Sequence, residues 1–514
     1  MNKPSILWVD DEIELLTPHI QFLEAKGYEV RRCSSGADAL LVIKENPVDL
    51  ILLDENMPGL SGLETLEKIK DLAANIQVIM VTNNQDDYMV QTALGGDIAD
   101  FLIKPLLPNQ LAISIKKIWD QKNIITEKIK RQFLENYRSL QETAHTAQSL
   151  EEFTSLYQKL VQWQVKMDAA QEPSLVQMLE DIQTSANKSF ASFIQSHYPS
   201  WFRGENQPIL SHTILRDKII PAAQKKKTMV LLIDNLRLDH WEAIASVFNS
   251  VYSQIEKSVT VSLLPTVTQY ARNSIFAGMT PLEIQDNFPH LWESDYSDGL
   301  KNEHEEELLE NYIKSKQLKL KTSYVKINKE TDAIKAFKNF KDIRQSDLSF
   351  VVCNFIDQLS HANTSNSMVK SMIPSSRAYR QAAFNWLENS ELKNLILEAA
   401  AHNIQLIVCT DHGSVLAKKP SLLKGHKDHT DNLRYKHGHK ITPIAKDTVV
   451  FDEPHLIGLP KNSLASSYIF AKEDVFFVYP NNYNAHATYY KNTYQHGGIS
   501  MEEMLIPFIV LDPK

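Results

Sequence analysis

TMVLLIDN, at residues 228–235, is a continuous apolar run that ends close to an aspartate, and two later stretches repeat its pattern. They are LSFVVCNFIDQLSH at 348–361 and IQLIVCTDHG at 404–413. Buried parallel strands have this composition because both faces of their sheet are covered. The carboxyl ends of such strands meet at one edge of an open sheet, where ligands bind. We therefore predict an α/β domain whose aspartates gather at that edge. These aspartates are Asp234, Asp357 and Asp411.

Histidines accompany these aspartates at short spacings. His361 lies four residues after Asp357, His412 directly follows Asp411, and His496 opens the motif HGGIS. Mixed carboxylate and imidazole ligands suit Zn²⁺, and the combined set is large enough for two ions with an open position. Any one of these residues alone is better explained as a helix cap or an ordinary surface side chain. Their ordered recurrence after strands favours a dinuclear zinc centre.

About the first 120 residues alternate strand-like runs with amphipathic stretches, which predicts a five-stranded, doubly wound α/β unit. The strand-like runs are SILWVDDE, YEVRRCS, DLILLDENM, QVIMVTN and ADFLIKP. Asp10, Asp11 and Asp54 follow or end two of these strands and should converge in one crevice. Three converging carboxylates repel one another unless a hard cation lies among them, and Mg²⁺ suits oxygen ligands. We therefore predict a magnesium-assisted phosphoryl site.

The motifs VDDE, LLDENMPGLSG, MVTN and FLIKP resemble the receiver domain of response regulators, and we assign this domain to residues 1–121. The resemblance implies that Asp54 accepts a phosphoryl group from a sensor histidine kinase and that the preceding acidic pair binds Mg²⁺. It also implies that Thr82 and Lys104 contact the phosphoryl oxygens. Phe101 matches the aromatic switch position, and Pro105 matches a proline whose peptide bond is usually cis in the family.

From about residue 106 to residue 201 the chain has few glycines and many Lys, Glu, Gln, Leu and Ala residues at helical spacing. This pattern predicts a central helical bundle that links the two outer domains, at residues 122–204. HYPSWF, at 197–202, is expected to mark its end. Two interpretations have equal weight: a relay or dimerisation module that carries the receiver's state onward, and a passive spacer with solvated faces.

The motifs DxxxH, DHG and HGG, together with SLLPTVTQYARNSIFAG at 262–278, resemble the PglZ-type branch of the alkaline phosphatase superfamily. The resemblance covers residues 205–514 and implies an alkaline phosphatase-like α/β domain with two zinc ions. One zinc would be bound by Asp234, Asp411 and His412. The other would be bound by Asp357, His361 and His496.

The same resemblance implies a hydroxyl nucleophile at the metals. Thr268 matches the nucleophile of the phosphodiesterase-like members, whose corresponding run reads Pro-Thr-x-Thr, and Thr266 is the second candidate. Ala271 stands where an asparagine often follows the nucleophile by three positions. Asn273 or Arg272 could replace that asparagine as an oxyanion donor if the geometry allows.

Two further segments carry unusual composition. GHKDHTDNLRYKHGH, at 425–439, is interpreted as a positive loop whose Arg434 and Lys436 contact substrate phosphates. A third metal site using its histidines and a simple solvated loop are the alternatives. EHEEELLENY, at 303–312, is predicted to be an exposed acidic helix without chemistry.

The length of 514 residues exceeds the roughly 250–300 residues at which single cores stop growing, which predicts two large domains and a connecting part. The net charge of −9 argues against generic DNA binding. Since no apolar run approaches the roughly 20 residues that span a bilayer, and no signal core opens the chain, we expect a cytoplasmic protein. The widely spaced cysteines Cys33, Cys353 and Cys409 predict buried thiols.

The order of receiver, helical linker and PglZ-type domain resembles the response regulators associated with type IX protein secretion. This implies a phosphorylation-dependent homodimer with a histidine kinase partner and a sigma factor as a further candidate. The predicted activity is that of a zinc-dependent phosphodiesterase acting on oligonucleotides or cyclic nucleotides. A phosphomonoesterase would share every metal ligand. A metal-folded docking module for a sigma factor or kinase is the non-catalytic alternative.

Overall fold

The computed structural model describes residues 5–46, 48–73, 76–83, 98–170, 172–293, 302–423, 432–438, 444–461 and 467–514. The chain divides into two compact units, residues 1–129 and residues 130–514. Within the described ranges, no helix is long and apolar enough to cross a membrane.

The first unit contains a parallel sheet in which five strands are described, in the order β2-β1-β3-β4-β5. The strands are β1 (Ser5–Val9), β2 (Glu29–Cys33), β3 (Leu50–Asp54), β4 (Gln77–Thr82) and β5 (Asp100–Ile103). The helices are α1 (Thr17–Ala25), α2 (Gly36–Glu45) and α3 (Gly62–Leu72). Alternate residues of β3 enter two separate cores, Leu52 one and Leu53 the other, because the sheet is covered on both faces. The predicted doubly wound unit is confirmed.

Three long helices follow, as the charged, glycine-poor composition of the linker predicts. They are α4 (Pro108–Thr146), α5 (Leu150–Ala170) and α6 (Pro173–Trp201). Within the second unit, α5 and α6 pack together through aromatic side chains, and the ring centroids of Phe153 and Phe190 lie 5.4 Å apart. Pro199 lies inside the last turn of α6, so HYPSWF marks the end of the linker as expected.

The second unit is built on a sheet in which six strands are described, in the order β7-β18-β10-β6-β9-β8. They are β6 (Thr228–Ile233), β7 (Tyr252–Val261), β8 (Thr322–Ile327), β9 (Leu348–Cys353), β10 (Gln405–Cys409) and β18 (Leu505–Pro513). β6 pairs in parallel with both β9 and β10, while β18 runs antiparallel to β10. The three apolar runs are therefore adjacent parallel strands whose carboxyl ends share one edge, as predicted.

Shorter elements complete the unit. The strands are β11 (Val415–Ala417), β12 (Lys419–Leu422), β13 (Tyr435–Gly438), β14 (Thr448–Phe451), β15 (Ser467–Ala471), β16 (Val475–Val478) and β17 (Thr493–Gln495). The helices are α7 (Ser211–Ile214), α8 (Ile220–Ala223), α9 (Leu238–Phe248), α10 (Thr268–Ala277), α11 (Pro281–Asn287), α12 (Glu305–Ser315), α13 (Glu330–Lys338), α14 (Phe340–Gln345), α15 (Phe355–Ser365), α16 (Ser367–Met372), α17 (Ser376–Asn389), α18 (Glu391–Ala401), α19 (Tyr483–Tyr490) and α20 (Met501–Met504).

The acidic stretch at 303–312 differs from its prediction at one position. Helix α12 exposes Glu306 and Glu307 and packs Leu308 and Leu309 into the core, so it is an amphipathic surface helix. Glu305, however, is only 1% exposed. A buried carboxylate requires a partner. The partner of Glu305 is Arg272, which lies beside the candidate active site.

Candidate active site and phosphorylation site

The acidic cluster of the first unit lies at the carboxyl edge of its sheet. Asp10 and Asp11 directly follow β1, and Asp54 ends β3, which pairs with β1 in parallel. One oxygen from each carboxylate lies within 4.8 Å of the others. Asp10 and Asp54 are buried, whereas Asp11 is exposed. The three predicted ligands are brought together in an arrangement that suits a hard divalent cation with water ligands.

Lys104 follows β5 and reaches into this cluster. Its Nζ lies 2.7 Å from Asp54 Oδ1 and 3.0 Å from Asp10 Oδ2. Burial raises the pKa of Asp54, and Lys104 opposes that shift. Although burial alone would lower the pKa of Lys104, its hydrogen bonds to Asp54 and Asp10 raise it. One lysine cannot balance three carboxylates, so the site keeps a net negative charge that fits Mg²⁺.

The remaining receiver positions lie on the neighbouring strands. Thr82 ends β4 and is fully buried, while Phe101 on β5 is half-buried. The Lys104–Pro105 peptide bond is cis, as the resemblance to receivers implied. The structure therefore assembles the predicted polar positions along the carboxyl ends of β1, β3, β4 and β5.

The first candidate metal centre of the second unit consists of Asp234, Asp411 and His412, all buried. Asp234 follows β6, and the other two follow β10, its parallel neighbour. His412 Nε2 lies 3.6 Å from Asp234 Oδ1 and 3.8 Å from Asp411 Oδ2. Ligand atoms about 2.0 Å from a tetrahedral zinc lie roughly 3.3 Å from one another. The observed separations are slightly wider and fit a single ion.

The second candidate centre consists of Asp357, His361 and His496. Asp357 and His361 lie one turn apart on α15, and Asp357 Oδ2 is 3.1 Å from His361 Nε2. Asp357 Oδ1 is 3.5 Å from His496 Nε2. The rings of His412 and His496 stack with centroids 4.3 Å apart, so the two centres adjoin. The six residues predicted as ligands form the two groups that the resemblance implied.

Thr268 lies beside His412 of the first centre, whose ring stacks on that of His496 in the second. It is the first residue of α10, and its Oγ1 is 3.3 Å from His412 Nε2. The other candidate, Thr266, is fully buried and uses its hydroxyl elsewhere. Its Oγ1 donates to Gly498 O at 3.1 Å and accepts from Gly497 N at 2.9 Å. The geometry favours Thr268 as nucleophile and gives Thr266 the role of holding the HGG loop.

Arg272 and Asn273, considered as oxyanion donors, are both buried on α10. The guanidinium of Arg272 is directed at protein carboxyl groups, including those of Asp234 and Asp411. It is therefore engaged by the protein and does not serve as a free donor to substrate. Asn273 stays a prediction. Sequence reasoning missed the partner of Arg272, Glu305, because an acidic run suggests a solvated helix.

Arg434 has a structural role in place of the substrate contact that we expected. It is fully buried, and its guanidinium forms an ion pair with Glu503, to which Nε donates at 3.1 Å. Nη1 donates to the carbonyl of Val475. A Cβ on Gly498 would lie 2.8 Å from Arg434 Nη2, so the second glycine of the HGG motif makes room for this pair.

Lys436 is also buried, with its Nζ 5.2 Å from the ring centroid of Tyr479, so neither of the two expected substrate contacts, Arg434 and Lys436, is presented at the surface. His437 is buried and stacks on Tyr468. The other histidines of the segment, His426, His429 and His439, lie outside the described residues. The third-metal alternative is therefore not tested.

Comparison with known proteins assigns each part of the chain. A model described as the BREX system PglZ alkaline phosphatase-like domain matches residues 214–511. A response regulator receiver domain matches residues 6–116, and a PorX response regulator linker domain matches residues 123–202. These matches cover the receiver, the linker helices and the six-stranded unit in turn.

Individual relatives match the receiver part. The aerobic respiration control protein ArcA of Escherichia coli (strain K12) is 28% identical over 141 residues, which are 27% of this chain and 58% of that protein. The CpxR homolog of Haemophilus influenzae is 37% identical over 115 residues, 22% of this chain and 49% of that protein. A CheY-like receiver structure from Methanospirillum hungatei JF-1 is 30% identical, covers 23% of this chain and 95% of its own, and gives a TM-score of 0.22. The chain spans about half the length of the curated relatives it matches.

The role of Arg434 can be tested by its effect on stability. We expect Arg434→Met to lower the free energy of unfolding of the second unit by about 3–5 kcal/mol, because it leaves the Glu503 carboxylate buried without its cation. Arg434→Met combined with Glu503→Gln should regain part of the loss in urea unfolding. A raised KM with unchanged stability would instead restore Arg434 as a substrate contact.

Proposed function

The chain belongs to the PglZ family of alkaline phosphatase-like domains and joins that domain to the receiver and linker of a PorX-type response regulator; from this premise we propose that it is a phosphorylation-controlled, zinc-dependent phosphodiesterase of the cytoplasm. The observation that carries the proposal is the Thr268 hydroxyl beside His412, at the junction of two sets of metal ligands. A docking surface has no need of a nucleophile there. The division into residues 1–121, 122–204 and 205–514 is part of the proposal.

Thr268 performs the central step. Its Oγ1 bonds to phosphorus as the bond to one ester oxygen breaks, which gives a phosphothreonine that still carries the second ester group, and an alcohol that takes up the hydroxyl proton. Water then attacks the same phosphorus, the bond to Oγ1 breaks, and the threonine hydroxyl is restored with a proton from the water. Zinc bound at the two ligand groups would lower the pKa of the attacking hydroxyl and stabilise charge on the phosphoryl oxygens.

The local fold supports this step. Thr268 is the first residue of the ten-residue helix α10, so the positive end of the helix dipole lies beside its hydroxyl. A helix N-terminus favours the negative charge of a phosphoryl group. Thr266 holds the loop that carries His496 in place, since its hydroxyl forms hydrogen bonds with both Gly497 and Gly498.

The two candidate activities, phosphodiesterase and phosphomonoesterase, differ in their class of substrate. We favour diesters of the nucleotide type, oligonucleotides or cyclic nucleotides, because Thr268 stands in a Pro-Thr-x-Thr run like that of the phosphodiesterase-like members. A phosphomonoesterase would use the same ligands and differ in the pocket beyond the phosphate. Parallel assays with bis(p-nitrophenyl) phosphate and p-nitrophenyl phosphate separate the two.

An ion-pair relay, half-buried at Asp168 and buried beyond it, supports control of this site by the linker. Arg380 on α17 binds Asp168 on α5, with Nη2 to Oδ1 at 2.8 Å, and binds Asp239 through Nη1 at 2.9 Å. Asp239 in turn binds Arg237. Arg237 lies three residues after the metal ligand Asp234, so a displacement of α5 would reach the loop that carries this ligand.

A second contact links α6 to the loop of the other centre. Asn187 donates to Glu502 Oε2 at 2.9 Å and accepts from Met501 N at 2.8 Å. Gln183 also donates to the carboxylate of Glu502. Glu502 lies six residues after His496. The linker therefore contacts the segments behind both metal centres, which favours the relay interpretation over the passive spacer.

The biological setting extends this proposal. We propose that a sensor histidine kinase phosphorylates Asp54 and that phosphorylation promotes a homodimer, because the Thr82 and Phe101 positions remodel one face in receivers. By its architecture the chain would act in type IX secretion, with a sigma factor as a further partner. The metal-folded docking module is the alternative, and a protein that binds zinc without esterase activity would favour it.

Phosphorylation should depend on one carboxylate. We expect Asp54→Asn to abolish covalent labelling by acetyl phosphate with Mg²⁺, because Asp54 is the acceptor at the end of β3. Glu55→Gln, one residue away, should keep the labelling. Mass spectrometry of the intact protein measures it, and full labelling of Asp54→Asn would refute the receiver assignment.

The two threonines provide a matched test of the nucleophile. Thr268→Val replaces the hydroxyl with a methyl of similar size, so diesterase turnover should fall by about 10³-fold or more while zinc content and melting temperature stay close to wild type. Thr266→Val removes two hydrogen bonds in the HGG loop and should lower stability by about 1–3 kcal/mol. Full turnover in Thr268→Val would defeat the mechanism.

Coupling through the linker predicts a separate effect of Asp168→Asn. This change weakens the α5 end of the ion-pair relay and leaves the Arg380–Asp239 pair in place, so basal diesterase activity should remain within about threefold. The response of that activity to acetyl phosphate should be lost. Glu151→Gln, exposed on the same helix, is the control. An unchanged response in Asp168→Asn would contradict the relay.

A further inference from the structure

Arg272 forms ion pairs with both carboxylates of the first candidate metal centre, Asp234 and Asp411. It is fully buried, and each part of its guanidinium has a polar partner. Nε donates to Asp411 Oδ2 at 2.9 Å, and Nη2 pairs with Asp234 Oδ2. Nη1 donates to Asn354 Oδ1 at 3.0 Å and to Glu305 Oε1 at 3.3 Å. One planar group therefore joins residues that follow three adjacent strands, β6, β9 and β10.

The two carboxylates contact Arg272 differently. Asp234 presents Oδ2 to Arg272 and Oδ1 towards His412. On Asp411, Oδ1 accepts from His412 N at 3.0 Å, and Oδ2 accepts from Arg272 while lying 3.8 Å from His412 Nε2. Arg272 thus contacts Asp234 through the oxygen that does not face His412, and contacts Asp411 through Oδ2, which also lies 3.8 Å from His412 Nε2. Nε and Nη2 of one guanidinium therefore bridge the two carboxylates.

Glu305 contacts the end of the Arg272 guanidinium, at Nη1. It is 1% exposed, and its other oxygen, Oε2, accepts from Lys326 Nζ at 3.0 Å and from the hydroxyl of Tyr324. Both of these partners lie on the edge strand β8. Helix α12, which the sequence suggested was only a solvated acidic surface, therefore anchors the centre through its first residue.

We propose that Arg272, fixed by Glu305, is a positioning residue that preforms the Asp234–Asp411–His412 centre for a divalent cation. The inference rests on the proposed metal centre and adds a residue that determines its geometry. Partners that orient metal ligands typically change metal affinity by about 10–100-fold when they are removed. Only the planar fork of arginine can bridge two carboxylates and a third acceptor at these angles; lysine is a single point charge.

Simple charge compensation is the competing explanation, and it predicts the opposite sign. If Arg272 only neutralised two buried carboxylates, its removal would make the centre more negative and raise its affinity for a cation. Lysine would then substitute for arginine. A positioning role instead predicts that affinity falls when Arg272 is removed and that lysine fails to restore it.

The experiment measures zinc in the full-length protein, by elemental analysis and by competition with a chromogenic chelator. Wild type should hold about two zinc ions. Arg272→Met and Arg272→Lys should each hold about one, with affinity at the affected centre lowered about 10–100-fold. The centre formed by Asp357, His361 and His496 serves as the internal reference. Tighter zinc binding in Arg272→Met, or wild-type binding in Arg272→Lys, would overturn the positioning role.

Glu305→Gln keeps the proposal testable if loss of Arg272 prevents folding. It removes the charge behind Arg272 and keeps the size of the side chain, so zinc affinity should fall by about 3–10-fold, less than in the Arg272 variants. Glu306→Gln, exposed on the same helix, is the matched control and should bind zinc as wild type does. Wild-type affinity in Glu305→Gln would refute the anchoring role of α12. A wild-type protein without zinc would instead defeat the proposed function itself.

Discussion

Repulsion between buried carboxylates is the constraint on which the second unit depends. Parallel pairing of β6 with β10 brings Asp234 and Asp411 together out of contact with water. Burial raises the pKa of Asp234 well above its usual range, and Asp411 adds to that shift. Burial alone would also raise the pKa of Asp411, yet Arg272 and His412 hold it below the usual range. The edge therefore needs cationic partners, and the fold supplies one as a fixed guanidinium. A metal ion would supply the rest.

The linker helices contact segments of the second unit that adjoin this edge. Asp168 and Asn187 belong to different linker helices. Asn187 contacts Glu502, six residues after His496, and Asp168 contacts Arg380, which pairs in turn with Asp239, five residues after Asp234. Glu502 is buried between amide donors, and burial raises its pKa. Buried polar contacts of this kind hold one arrangement of the helices, since a shift that breaks them leaves a carboxylate without partners. A change in the linker would thus switch the ligand loops between discrete arrangements and would not shift them gradually.

The sequence was sufficient for whatever depends on local pattern. Apolar runs that end close to aspartate predicted the parallel strands, and the family resemblance carried by DxxxH, DHG and HGG implied which side chains group together. Contacts between distant segments gave no such signal. Arg272 and Glu305 lie on separate helices, and Arg434 and Glu503 are further apart still, so neither pair follows a helical or strand period. Arg434 and Lys436 were expected in a positive loop because composition alone suggests exposure, whereas the structure buries both. Glu305 was likewise expected to be exposed, because it lies in an acidic run, but it is buried.

The aspartates at the edges of the two sheets pair with different cations, Lys104 in the first unit and Arg272 in the second. The difference suits the chemistry of each site. Lys104 is partly exposed, at 21%, on a flexible stem, so its ammonium can move from the Asp54 carboxylate to a phosphoryl group that is added and later removed. Arg272 is fully buried and held by several acceptors, which fixes it in one position. A transient covalent modification requires a cation that follows the new charge. The proposed metal centre would require one that does not move, because its ligand spacing would have to persist through each catalytic cycle.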